Sequence, residues 1–150
     1  MKIPLMVRER FNQLMPFVLI TLKARHVRRP SPVIALVDTG SPWLALTPKD
    51  IGRLNIPMSA PTKPKEFPII GFAGSRFWRY LLTDVTVFLR TETDEIVSVS
   101  LPSISLLWPT KGKSEEFEAL PNVIGSDFLT IGQFALHFNP SEGTAFLERK

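Results

Sequence analysis

Apolar residues in this chain fall in short runs divided by proline and glycine, a pattern that suits strands better than long helices. Residues 17–25 and 33–37 are two such runs, and Arg28-Arg29-Pro30-Ser31-Pro32 between them reads as the turn of a hairpin. Trp43-Leu44-Ala45-Leu46 predicts a third short strand. A helix should follow it. Thr47-Pro48-Lys49-Asp50 resembles a capping box, with proline at the first helical position and an acid three residues after the threonine. Ile51 and Leu54 give that helix an apolar stripe, and Asn55 and Pro57 stop it.

Beyond a proline-bearing connector at 60–68, residues 69–75 read as a strand running into a glycine-containing hairpin tip. Residues 77–89 return from it, and 84–89 alternate as a half-buried strand should. Further strands are expected at 96–101 and 103–108, and a polar loop at 110–118. Val123-Ile124 predicts a short buried strand leading through Gly125-Ser126 into a helical turn at 127–131, ended by Gly132. Strands at 134–138 and 144–147 close the chain around an Asn139-Pro140-Ser141-Glu142-Gly143 turn. The fold class is mostly β, with one or two short helices. Residues 1–15 are expected to be an N-terminal arm or extra strand, and 16–150 the functional domain. No internal repeat is visible, so the chain does not hold two copies of one lobe.

Composition narrows the function. The 14 prolines among 150 residues argue against a helix bundle, and 44% hydrophobic with 21% charged residues is ordinary globular usage. The absence of cysteine removes disulfides, thiolate nucleophiles and zinc-thiolate sites, and fits a cytoplasmic protein. With two histidines, His26 and His137, a multi-histidine metal site is not expected, and no cofactor is implied. The N-terminus carries no secretory pattern, and the longest apolar run is too short to span a bilayer. Much of the net charge of +4 sits in Lys23-Ala24-Arg25-His26-Val27-Arg28-Arg29. No Phe, Tyr or Trp is interleaved there for base stacking, so a solvated turn is expected and nucleic acid is not.

Without metal or cysteine, and without a nucleophile-elbow serine, a common route to peptide hydrolysis is a pair of carboxylates sharing a proton. Asp38 is placed for this. It follows a run of five apolar residues; Gly40 permits a tight turn and close approach of another backbone; Thr39 and Ser41 add hydroxyls near the carboxylate. The plainer reading of Asp38 is an Asx-turn aspartate at a strand end. Asp127 reads as a helix N-terminal acid, His137 as a surface strand residue, and Trp43, Trp78 and Trp108 as core or interface anchors.

Val33-Ile34-Ala35-Leu36-Val37-Asp38-Thr39-Gly40-Ser41 resembles the active-site segment of retropepsin-like aspartic proteases, of the cellular and microbial type. Ile69-Ile70-Gly71-Phe72-Ala73-Gly74 stands where that family has its flap, and Val123-Ile124-Gly125-Ser126-Asp127-Phe128-Leu129 resembles its second signature. The resemblance implies a closed-barrel-like fold and an aspartic peptidase acting as a homodimer on peptide or protein substrates. The dyad would be Asp38 from each of two copies. Thr39 would hydrogen-bond across the two-fold axis, Gly40 would line the substrate backbone, and Ser41 with Gly71, Phe72, Ala73 and Gly74 would contact substrate.

Many viral members carry an arginine at the position of Ser126 and an acid at that of Pro42, which pair near the dimer interface. Both charges are absent here together, as a compensated loss would leave them. The competing reading keeps the fold without the chemistry, as an inactive dimerisation or peptide-binding module. A basic nucleic-acid adaptor using residues 23–29 is a third, and it predicts steeply salt-sensitive binding.

Overall fold

The computed structural model describes residues 1–62, 68–70, 75–111, 117 and 119–150, with residues 69 and 70 as backbone alone. Among them the strands are β1 (Lys2–Pro4), β2 (Met6–Arg10), β3 (Gln13–Lys23), β4 (Ser31–Val37), β5 (Ala45–Leu46), β6 (Ile69–Ile70), β7 (Arg76–Arg90), β8 (Ile96–Pro109), β9 (Asn122–Ile124), β10 (Ala135–Asn139) and β11 (Thr144–Glu148). Two helices, α1 (Pro48–Arg53) and α2 (Ser126–Gly132), complete the set.

The larger sheet has the order β2-β3-β4-β9-β5-β8-β7-β6, and β3 also pairs with β7 through Thr21–Phe88, Leu22–Val87 and Lys23–Thr86. That extra pairing closes the sheet into a barrel. Its interior is filled by alternate residues of each strand: Val18, Ile20 and Leu22 of β3, Val33, Ala35 and Val37 of β4, and Val85, Val87 and Leu89 of β7 are all buried. Each of the valine, isoleucine and leucine side chains among them contributes about 1.5–3 kcal/mol relative to exposure. The intervening partners Leu19 and Ile34 face outward, at 54% and 40% exposure.

Several expectations need correction. Residues 96–108 are one strand, not two. Pro102 lacks an N–H and Asp84 takes φ 55°, so the β7–β8 ladder skips that pair, yet it resumes in the same register from Val85–Leu101 to Thr83–Ser103. Thr47 does not cap α1 through its side chain; its hydroxyl donates to the Leu120 carbonyl at 2.9 Å. Gly132 is the last helical residue of α2, and Gln133, at φ 57°, makes the left-handed turn that ends it. The basic turn is not wholly solvated: Ala24 and Val27 are buried, and only the charged residues around them are exposed.

Residues 6–23 form a hairpin, β2 against β3, turning through Phe11 and Asn12 at φ 53° and 60°. β1 joins a smaller sheet of order β1-β11-β10, in which Ile3 and Leu147 are paired and buried. His137 lies on the surface, stacked on Phe146 at 4.6 Å and paired with Glu148 at 3.0 Å. No helix among the described residues is long and apolar enough to cross a membrane.

Candidate active site

Asp38 leaves the barrel at the C-terminal end of β4, where the apolar run ends. Its carboxylate Oδ1 accepts the Gly40 N–H at 2.9 Å, and its carbonyl accepts the Ser41 N–H at 3.1 Å. This is an Asx turn, so the plain reading of Asp38 is correct as local geometry; it also fixes where the carboxylate points. Asp38, Thr39 and Gly40 are exposed. A Cβ on Gly40 would sit 3.2 Å from the Asp38 carboxylate, tighter than ordinary contact. The Ser41 hydroxyl donates to the Trp43 carbonyl at 3.3 Å.

What holds this loop is the second signature. β4 and β9 run parallel, with Val37 opposite Ile124. The ladder continues past both strands. Asp38 N–H donates to the Ile124 carbonyl at 2.9 Å, Ser126 N–H to Ser41 at 2.8 Å, and Asp127 N–H to Pro42 at 3.2 Å. Pro42 and Ser126 thus sit on the two segments that these main-chain bonds join, each bonded to the residue next to the other. Gly125 sits at the crossing. A Cβ there would come within 2.5–2.6 Å of the Ser41 carbonyl and of the Trp43 N and O. Only glycine allows two backbones this close.

Asp127 does more than start α2. Its Oδ1 accepts the Leu44 N–H at 2.8 Å and the Phe128 N–H at 2.6 Å, so one carboxylate joins the Asp38 loop to the helix. Burial pushes its carboxyl up from the ordinary value, against the two N–H donors and the Arg79 guanidinium, which favour the charged form. Arg79 lies over the Trp43 ring at 3.8 Å and donates to the Ser105 hydroxyl at 2.8 Å, closing the same corner.

The residue least foreseen is Asn122, only 4% exposed. Its Oδ1 accepts the Thr47 N–H at 2.9 Å, while its Nδ2 donates to the Ile34 carbonyl at 3.1 Å and also to Asp50. The start of α1, β4 and β9 thus meet on one side-chain amide. No periodicity marks a buried asparagine at the head of a short strand; a polar residue beside an apolar pair is the one available hint.

The predicted substrate-contacting residues Gly71, Phe72, Ala73 and Gly74 lie outside the described residues. On either side of them Ile70 pairs with Arg76 and Ile69 with Phe77. At that base lies a cleft of about 510 Å3 lined by Pro68, Ser75, Arg76, Thr110, Lys111 and Phe117. Among the described residues no group of three or more His, Cys, Asp or Glu side chains is placed to hold a metal.

A solved retropepsin-like aspartic protease from Rickettsia conorii matches this architecture with a TM-score of 0.54, over 99% of this chain and 91% of that one. The chain has a retropepsin-like fold. Sequence identity over the match is 13%, so the likeness lies in the arrangement of strands and not in the residues that fill them. No family model and no curated protein matches the sequence. In this fold the loop carrying Asp38 and the segment carrying Gly125 lie side by side.

Proposed function

We propose that this chain is an aspartic endopeptidase that works as a homodimer, each copy supplying Asp38. The observation that carries this reading is an exposed carboxylate on a loop clamped from behind, in a chain with no second Asp-Thr-Gly. Two such loops facing each other across a two-fold axis place two carboxylates roughly 3 Å apart, where they cannot both ionise. One then takes a proton from water while the protonated partner polarises the scissile carbonyl, and the pair titrates as a unit. Thr39 joins the loops across the axis and Gly40 leaves room for the substrate backbone. Residues 71–75 stand where the family has its flap, and a flap closed over the peptide would exclude water. Residues 16–150 carry the protease and residues 1–15 add strands to it; a cytoplasmic setting fits the cysteine-free sequence.

The test is cleavage of an unfolded protein by wild type and Asp38→Asn, alongside sedimentation. Wild type should sediment as a dimer, with specific activity rising with concentration. The variant should lose about a thousandfold or more in rate with its dimer intact. Equal cleavage by the two proteins would sink the reading. A stable dimer with no activity in either would favour the peptide-binding module instead.

A further inference from the structure

At the other end of β4 from Asp38, roughly 20 Å away for a seven-residue strand, the chain encloses a second cleft, of about 830 Å3. Arg25, His26, Arg28, Arg29 and Arg53 line it, and no Asp or Glu does. Arg53 is engaged with Asp50 and with the Pro32 carbonyl, each at 2.6 Å. Arg25, Arg28 and Arg29 form no ion pair with a carboxylate among the described residues.

The walls are built in advance of any ligand. Ala24 and Val27 are buried and pin the turn, whose Val27 N–H donates to the Ala24 carbonyl at 3.0 Å. The Ser31 hydroxyl donates to the Arg29 carbonyl at 3.0 Å. Asn55, at φ 53°, turns the chain after α1 so that Pro57 reaches the opposite wall. Like charges held in a concavity focus a positive potential and concentrate anions. Guanidinium forks match phosphate oxygens two at a time.

The surroundings narrow the anion. The lining has no Phe, Tyr or Trp on which bases could stack, which disfavours a nucleic-acid strand. β3 beside it is paired on both sides, and β9 joins β4 only from Ala35 onward. On β4, Pro32 has no N–H and the Pro32 and Ile34 carbonyls are already bonded to Arg53 and Asn122, which leaves little edge for an extended acidic peptide. The volume suits a single small organic anion. We infer that this cleft binds a compact polyanion carrying two or more phosphate groups, free in solution or as a lipid headgroup.

Calorimetric titration of the full chain with tripolyphosphate tests this. One saturable site is expected, weakened about tenfold or more in Arg25→Ala/Arg28→Ala, unchanged in Arg90→Ala, and weaker between about 50 and about 200 mM salt. Arg28 is exposed, so Arg28→Glu serves as a second variant with an intact melting transition, and it should abolish binding. Co-sedimentation with phosphatidylcholine vesicles containing phosphatidylinositol bisphosphate, but not with plain ones, assigns the headgroup source; tripolyphosphate binding without vesicle binding assigns a free ligand. Equal affinity in wild type and the double variant overturns the inference. So does absence of binding at low salt, or capture of polyglutamate or single-stranded DNA that tripolyphosphate fails to displace. Asp38→Asn should bind as wild type does, which keeps this result separate from the peptidase reading.

Discussion

The two ends of β4 are held by opposite means. At its C-terminal end, the Asp38 loop is tied to the start of α2 by main-chain hydrogen bonds and by the close approach at Gly125. At its N-terminal end, the basic turn is held by two buried apolar side chains, with its charges left outside. A main-chain clamp fixes geometry to tenths of an ångström and tolerates no added atom. Apolar anchors fix a position and leave the exposed neighbours free to vary. Chemistry that needs a carboxylate at a set place calls for the first; attraction of a diffuse negative charge needs only the second.

Substitutions can break this contrast in graded steps. Gly125→Ala should cost at least about 3 kcal/mol, because all three atoms it meets belong to the main chain and cannot swing aside; chemical denaturation measures it, and a loss under 1 kcal/mol would mean that the clamp yields. Asn122→Ala comes next, at about 3 kcal/mol or somewhat less, since the Thr47 N–H and the Ile34 carbonyl lose a partner in a buried place.

Asp127→Asn keeps an oxygen for both N–H donors, so its effect is smaller and shows in pH dependence. The Asp127 carboxyl is raised in the fold above its ordinary 3.8, so the native state holds that proton more tightly than the unfolded chain. Stability from this group is full below 3.8 and is lost as pH rises through the raised value. Wild type should therefore lose ground to Asp127→Asn as pH climbs from 3.8 toward neutrality, and parallel denaturation curves would refute this. At the basic end, Arg28→Ala/Arg29→Ala should move stability by no more than about 0.5 kcal/mol, the smallest effect of the series.

The same contrast explains what could be read from the sequence. The barrel strands announced themselves through apolar runs, and the two segments of the candidate site through Asp38-Thr39-Gly40 and Val123-Ile124-Gly125, because these depend on residue type at fixed spacing. Ties between distant segments left no such trace. Thr47 carries every mark of a cap, yet Leu120 and Asn122 take its hydrogen bonds. Pro102 looks like a strand end, but the ladder passes it without a register shift. Phe11 and Asn12 turn a hairpin without the glycine that usually signals one, and Phe11 stays close to the Arg10 guanidinium, 5.5 Å from its ring.

The parallel pairing of β4 with β9 also sets an order of events in time. Ala35 lies opposite Asn122, and the Asp38 N–H waits for the Ile124 carbonyl, so the loop cannot be clamped until nearly the whole chain is present. Contacts so far apart in sequence close late and slowly. During synthesis the β3–β4 hairpin can form early from local pairing, while Asp38 stays unanchored until residues 122–127 have emerged. A loop built this way stays unclamped on the nascent chain and gains its geometry only as folding ends.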